Sequence, residues 1–579
     1  MRRTIWGAVI AAVAAIAAVA IVVVGITGTD SPAPSATASA TPDIEQLAGP
    51  LASQTLDWHA CDFSDPITAP LPDVDVSNVE CATVQVPRDW HDSTSPATWD
   101  VEISQARNVE AGAESATTLF LHPGGPFSGL SFAATTQHAT PELRPTTNYV
   151  SFDQRGLGQS SSVVCEYEYD AAGGAAADAR AAGEACSQHA DFATMTSEQI
   201  AYDMDLIRHL LGAETVSYLG YSYGTWLGTW FGNLFAENID RMVLDSVIDG
   251  SSPTYEKSFT DQSRAIDRHF EIHMMNWLAR NDAVYGLGTD PEAILDRYFE
   301  ATAGTEADDA AYLVWSATGA VTAFNKNVLY PIAGEVVVQL IADGESGLPG
   351  TAPERAVRTI ERMDTAVLPE ADRPAVLAAV ETSTTQPVAD PETGLVESSL
   401  PSAFDYSRCA DGQWTQGSSY WAEANEQTAE ASPLAAQLRR VDTAPMCAFW
   451  PTEVKMPPIA SNFPATIVVQ SELDALTPWE QGRDLVAALP DATSLVVDNE
   501  GVHGVFPYNT AEVDEPLIEF LLGGERPSGT IVAPAKPLPL EQRTFESWAP
   551  LRGDAEHDGP AVVDPATPAE TAVIIDPAT

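Results

Sequence analysis

The stretch Val216-Ser-Tyr-Leu-Gly-Tyr-Ser222-Tyr-Gly-Thr-Trp-Leu-Gly-Thr-Trp-Phe231 decides the fold. Val216–Gly220 is a short apolar run of the kind that forms a strand buried on both faces. Thr225–Phe235 reads as a buried helix. Between them Gly220-Tyr-Ser222-Tyr-Gly224 is a G-x-S-x-G turn, the pattern of a nucleophile elbow. Glycine is needed at both ends because a Cβ there would strike the neighbouring strand or helix. Such a turn lifts Ser222 Oγ above the sheet at a helix N-terminus, where the dipole favours developing negative charge. Two glycines around a serine mean little alone; the strand before and helix after give them weight.

Outward from the elbow, similar apolar runs lie at Thr117–His122, Tyr149–Asp153, Met242–Asp245, Thr466–Gln470 and Leu495–Asp498. Helical patterns separate them. Thr196-Ser-Glu-Gln199 fits a capping box, Ile200, Met204, Ile207 and Leu211 follow at helical spacing, and Gly212 is a stop. Strand–helix alternation predicts an α/β fold with a mostly parallel sheet. Strand signals cease between Gly250 and Pro401, where Ala265–Leu278 and Pro353–Val380 carry helical periodicity. The expected organisation is a membrane anchor or signal segment at 1–28, an Ala/Ser/Pro linker at 29–50, and a sheet core at 51–250 and 401–524. A helical cap insertion at 251–400 splits that core, and a partly disordered extension occupies 525–579.

A serine nucleophile needs a base, and the base needs an orienting carboxylate. In a fold with this elbow the chain order is Ser, Asp, His. Asp474 follows the strand Thr466–Gln470, at the strand end where α/β sites form. Gly501-Val-His503-Gly504 follows the strand Leu495–Asp498. The candidate catalytic set is therefore Ser222, Asp474 and His503. The strand Thr117–His122 runs into Pro123-Gly124-Gly125-Pro126, whose backbone can aim an N–H at a carbonyl oxygen. Gly125, with Gly124 as the alternative, is the expected oxyanion-hole partner of Tyr223, the residue after the nucleophile.

Other polar residues read as structural. Arg155 could clamp a substrate carboxylate, but is expected to bond loop carbonyls and Asp153. His269-Phe-Glu-Ile-His273 has helical spacing, yet its Glu is not adjacent to the first His as a zincin requires. A satisfied helical pair is expected, with no metal and no cofactor. Trp226, Trp230, Met274, Met275 and Trp277 are expected in the core and cap lining.

The chain of 579 residues carries 28 Lys and Arg against 82 Asp and Glu, a net charge of −54. That excludes the basic footprint of a nucleic-acid binder and opposes docking on anionic lipid. Arg2 and Arg3 precede an uncharged run, Ile5–Ile26, followed by the small-residue linker Ser31–Pro42. The run is long enough to span a membrane, with the remainder outside the cytoplasm; cleavage within the linker is the alternative. The tail from Gly553 is acidic and rich in Pro and Ala, and is expected to be disordered. An even set of six cysteines outside the membrane suggests disulfides. Neighbour pairing, Cys61–Cys81, Cys165–Cys186 and Cys409–Cys447, is the simplest arrangement.

From about Trp58 to Gly524 the chain resembles the secreted actinobacterial tripeptidyl aminopeptidases, α/β-hydrolases akin to proline iminopeptidase. The family pattern N-P-G-G-P-G-x-S-G is similar to His122-Pro-Gly-Gly-Pro-Phe-Ser-Gly129, which is one residue shorter. D-x-R-G-x-G-x-S is met by Asp153-Gln-Arg-Gly-Leu-Gly-Gln-Ser160. The TAP-like C-terminal pattern is met by Cys409-Ala-Asp411, Cys447-Ala-Phe-Trp-Pro451, Asp474-Ala-Leu-Thr-Pro478 and His503-Gly504. Phe127, Ser471, Ala475 and Val502 depart from it without removing a reacting group. The resemblance implies an α/β-hydrolase fold and an extracytoplasmic serine exopeptidase acting on peptides with a free N-terminus. Such an enzyme must hold a cationic α-amine, and Asp249, Glu256 and Asp261 at the start of the insertion are candidate carboxylates. The rival readings are a carboxylesterase on the same fold and a catalytically inactive surface binding protein.

Overall fold

The computed structural model describes residues 41–64, 74–107, 117–253, 255–302, 330–347, isolated residues between 357 and 377, 389–400, 403–412, 416–437, 446–450, 455–544 and 573–575. Thirteen strands are found among them: β1 His59–Ala60, β2 Val79–Pro87, β3 Thr98–Ala106, β4 Thr117–His122, β5 Thr147–Phe152, β6 Cys165–Asp170, β7 Val216–Tyr221, β8 Ile239–Asp245, β9 Leu395–Leu400, β10 Thr466–Ser471, β11 Ala492–Asp498, β12 Thr530–Pro534 and β13 Val573–Ile575. Eleven form one sheet in the order β1-β2-β3-β5-β4-β7-β8-β10-β11-β12-β13. The central ladders from β5 through β12 are parallel. Both edges are antiparallel.

The central strands are apolar at both parities because helices cover both faces. Phe120 and Tyr218 join the cluster that contains Met204, Ile207, Trp226 and Phe231. Their neighbours Leu121 and Leu219 join the opposite cluster, with Val469, Leu517 and Phe520. Successive side chains point to opposite faces, so each parity feeds its own core.

The chain leaves β4 for β5 on one side and later for β7 on the other. β4 is thus flanked by the crevice of a topological switch point, where α/β proteins place ligands. His122 pairs with Gly220 in register, so the Gly-rich loop after β4 starts beside the elbow after β7.

Helix α1, Ser197–Leu210, starts as the sequence predicts: the Thr196 side chain caps it by accepting from Gln199 N–H. The reciprocal half of the capping box is not made. Gln199 Oε1 accepts from Trp90 N–H at 2.9 Å, and Gln199 Nε2 donates to Asp89. A distant loop outcompetes the local partner.

The insertion opens with a continuous helix: α2 Glu256–Arg268, a wider π turn at His269–Met274, and α3 Met275–Arg280. With α4 Pro291–Thr302 and α5 Tyr330–Ser346 it buries Phe270, Met274, Trp277, Tyr298 and Tyr330 in one cluster, which Leu434, Ala475 and Leu538 join from the C-terminal half. Most of Pro353–Val380 lies outside the described residues. No apolar run predicts β1, β2 or β3, nor β9, which lies in the stretch without strand signals, nor β6, its antiparallel partner. Likewise β12 extends the main sheet beyond Gly524, and β13 pairs antiparallel with it, although the surrounding tail was expected to be disordered. The remainder of that tail, and the run Ile5–Ile26, lie outside the described residues. Among those described, no helix is long and apolar enough to cross a membrane. The three disulfides pair as expected from neighbour order.

Arg155 is fully buried and structural, but its ionic partner is Asp203, not Asp153. Its Nε donates to Asp203 at 2.8 Å, and the guanidinium also donates to the carbonyls of Pro87, Arg88 and Thr194. Arg155→Leu should lower stability by about 3–5 kcal/mol, because Asp203 is left buried and unpaired. Urea denaturation measures this; an unchanged midpoint would contradict the assignment.

Candidate active site

Ser222 stands between β7 and helix α6, Tyr223–Leu234, with φ 52° and ψ −121°. A non-glycine residue in the left-handed region is strained, as the sharp elbow demands. The turn is held from beneath: Ser222 N–H donates to Asp245 O at 3.0 Å. Its carbonyl accepts from Thr225 N–H at 2.8 Å and Thr225 Oγ1 at 2.6 Å. A Cβ on Gly220 would lie 2.6 Å from Gly224 O, and one on Gly224 would lie 2.9 Å from His122 O. The two glycines therefore permit the contact between strand, turn and helix.

The loop after β4 packs directly on the elbow. A Cβ on Gly124 would come within 2.7 Å of Tyr221 O and 2.9 Å of Ser222 Cβ. The Gly124 N–H donates to His122 Nδ1 at 3.1 Å, so it is not free to serve an oxyanion. His122 Nε2 faces Gln154 Oε1 at 3.2 Å. Burial pulls the His122 pKa down to about 4, so the ring is neutral and can accept through Nδ1. Among the described residues, neither the Gly125 N–H nor the Tyr223 N–H has a partner; Tyr223 opens its helix, where N–H groups lack intrahelical acceptors. The Asp153 carboxylate fastens the loop by accepting from Ser128 Oγ at 2.6 Å, Gly129 N–H at 2.9 Å and Gln159 N–H at 2.8 Å.

Asp474 follows β10 and is fully buried. Its Oδ1 accepts from Leu476 N–H at 2.8 Å and Thr477 N–H at 3.0 Å, which orients the carboxylate. His503, in the loop after β11, presents Nδ1 to Asp474 Oδ2 at 2.9 Å. Thus Nδ1 carries the proton and Nε2 is left as the basic nitrogen. Burial pulls the His503 pKa down, but the charge and hydrogen bond of Asp474, with the charge of Asp245, raise it overall. The structure brings Asp474 and His503 together. It records no hydrogen bond between Ser222 Oγ and His503 Nε2, a contact that in ligand-free hydrolases commonly tightens only with substrate.

Asp245 was not singled out in the sequence. Its buried carboxylate accepts from Val505 N–H at 3.0 Å and Phe506 N–H at 2.7 Å, just past His503, while its carbonyl holds Ser222. Burial pushes its pKa up to about 6 against these hydrogen bonds. Its place at the C-terminal end of a central strand was the available signal. Gly504 N–H donates to Ser246 Oγ at 2.7 Å, and Tyr221 Oη donates to Phe506 O at 2.6 Å. Of the candidate amine-binding carboxylates, Asp249 is buried and accepts from Ser251 N–H at 2.9 Å, whereas Glu256 and Asp261 are half-buried. Tyr255 lays the start of the cap against Trp226, with ring centroids 5.2 Å apart.

The fold is that of an α/β-hydrolase enzyme. Family models agree: "alpha/beta hydrolase fold" matches residues 117–299 and "TAP-like protein" matches 432–532. The chain is similar to the tripeptidyl aminopeptidases of Streptomyces lividans and Streptomyces coelicolor. Each is 26% identical over 496 residues, covering 81% of this chain and 84% of the relative. It is also similar to serine protease Hip1 of Mycobacterium tuberculosis, 23% identical over 508 residues, covering 83% of this chain and 91% of that one.

Histidine NMR titration checks the electrostatics. His503 should titrate above the ordinary value of about 6.5. Burial is the largest single influence and only the partners together outweigh it, so in Asp474→Asn, with the main raising charge gone, the value should fall below that. No downward movement would contradict the pairing.

Proposed function

We propose that the chain is an extracytoplasmic serine exopeptidase that releases short peptides from free N-termini through Ser222, His503 and Asp474. The reading rests on one observation above all. A buried, backbone-oriented carboxylate fixes the tautomer of a histidine whose loop is tied, through Asp245, to the strained serine turn. The similarity to proteins named tripeptidyl aminopeptidase and serine protease supports a peptidase over other acyl-transfer enzymes. Three disulfides, with the uncharged run after Arg2 and Arg3, support an oxidising compartment outside the cytoplasm.

In the proposed mechanism His503 Nε2 takes the Ser222 Oγ proton as Oγ attacks the scissile carbonyl. The N–H groups of Gly125 and Tyr223 receive the oxyanion. His503 then protonates the leaving amine, and Asp474 stabilises the imidazolium. Water, deprotonated by His503, then attacks the acyl carbonyl; the bond to Ser222 Oγ breaks, His503 returns the proton to Oγ, and the N-terminal fragment leaves as a carboxylate. The substrate amine is a cation, and entering a partly desolvated cleft unpaired is costly. Glu256 and Asp261, on the first turns of the cap helix, are the carboxylates proposed to meet it.

Release of a chromophore from tripeptide amides tests this. Acetylating the amine should lower kcat/KM by about 10²-fold or more, and Ser222→Ala should lower it by ~10⁴–10⁶. Equal rates on blocked and free peptides, or far faster turnover of simple acyl esters, would indicate a carboxylesterase instead.

A further inference from the structure

The π turn of the cap helix carries two buried histidines that touch both loops of the proposed catalytic pair. His269 Nδ1 lies 2.9 Å from the carbonyl oxygen of Leu473, the residue before Asp474. His273 Nε2 lies 3.2 Å from the carbonyl oxygen of Asn499, at the exit of β11 that leads to His503. A carbonyl only accepts, so these two ring nitrogens carry the protons. The remaining nitrogen of each ring faces one hydroxyl, Tyr330 Oη, 3.3 Å from His269 Nε2 and hydrogen-bonded to His273 Nδ1. The rings also fill the space beside the base loop. A Cβ on Gly501 would lie 2.3 Å from His269 Cε1 and 2.9 Å from His273 Nδ1. The two loops are joined to each other where the histidines grip them, with Leu473 N–H donating to Glu500 O at 2.8 Å. Glu500 in turn accepts from Gly501 N–H at 2.8 Å and from Tyr508 Oη.

We propose that His269 and His273 are positioning residues for the proposed reaction: they fasten the cap helix to the acid loop and the base loop and set the Asp474–His503 geometry. The inference rests on the triad reading above. A wider π turn is where helices commonly adjust to a functional contact. Here it puts two imidazoles four residues apart on one buried face. The cap is then part of the support of the catalytic pair as well as a wall of the cleft. Displacing the pair by a fraction of an ångström would slow the chemistry without altering how substrate binds.

The two rings donate through different nitrogens, which makes a crossed test possible. The amide of Asn places a donor near Nδ1 of the imidazole it replaces, and the amide of Gln places one near Nε2. His269→Asn and His273→Gln therefore keep the donor; His269→Gln and His273→Asn misplace it. With a chromogenic tripeptide amide, the matched variants should stay within about threefold of the wild-type kcat. The mismatched ones should lose about 10²-fold in kcat with KM little changed. Thermal melts confirm folding. Tyr330→Phe, which removes only the shared hydroxyl, decides the matter where an isostere fails to fold. It should cost about tenfold in kcat. Equal kcat for both isosteres at each position, or wild-type kcat in Tyr330→Phe, would overturn the inference while Ser222 remains reactive. Activity that survives Ser222→Ala would overturn the triad reading, and the inference with it.

Discussion

The constraint on which the site depends is the double grip of Asp245. Its carbonyl holds the Ser222 N–H at 3.0 Å, and its carboxylate holds the backbone just beyond His503. One residue at the end of β8 thus sets the distance between the elbow and the base loop. Ser222 keeps φ at 52° only because its surroundings over-determine it: the strand on one side, the helix on the other, Asp245 beneath. Burial pushes the Asp245 pKa up to about 6, so the carboxylate depends on its backbone donors to stay charged. Without them a buried carboxylate would be costly. The electrostatics of the site and the geometry of the sheet are therefore the same arrangement.

Around that centre the loops divide their tasks. The loop after β4 gives Gly124 to His122 and leaves the Gly125 N–H unspent. Asp153 fixes the far end of that loop through Ser128 and Gly129. The loops after β10 and β11 carry Asp474 and His503, and the cap helix reaches both. Each group comes from the C-terminal end of a different parallel strand, so the site exists only when the sheet is assembled. Phe127, beside the unspent N–H, is 55% exposed, which places an apolar ring at the rim of this crevice.

Much of this was legible because the fold writes itself locally. Strands buried on both faces are continuous apolar runs, so β4, β5, β7, β8, β10 and β11 could be read within a few residues. Thr196 is a cap wherever its helix packs, and Gly220 and Gly224 are required by the turn itself. The strands outside the parallel centre of the sheet were not legible. β2 alternates buried and exposed residues with a charged position, and β6, Cys-Glu-Tyr-Glu-Tyr-Asp, finds β9 more than two hundred residues away. The sequence likewise placed Arg155 as structural but could not name Asp203 as its partner. Asp245, His269 and His273 act by contacts between segments far apart in the chain. Local periodicity shows where a buried polar residue lies, not which loop it will hold.

The most direct test of the central claim is to locate the reactive nucleophile. The protein is treated with a fluorophosphonate, digested, and the adduct mapped by mass spectrometry. A single adduct on the peptide bearing Ser222, absent after His503→Ala, is the result this account predicts. An adduct elsewhere, or labelling indifferent to His503, would contradict it.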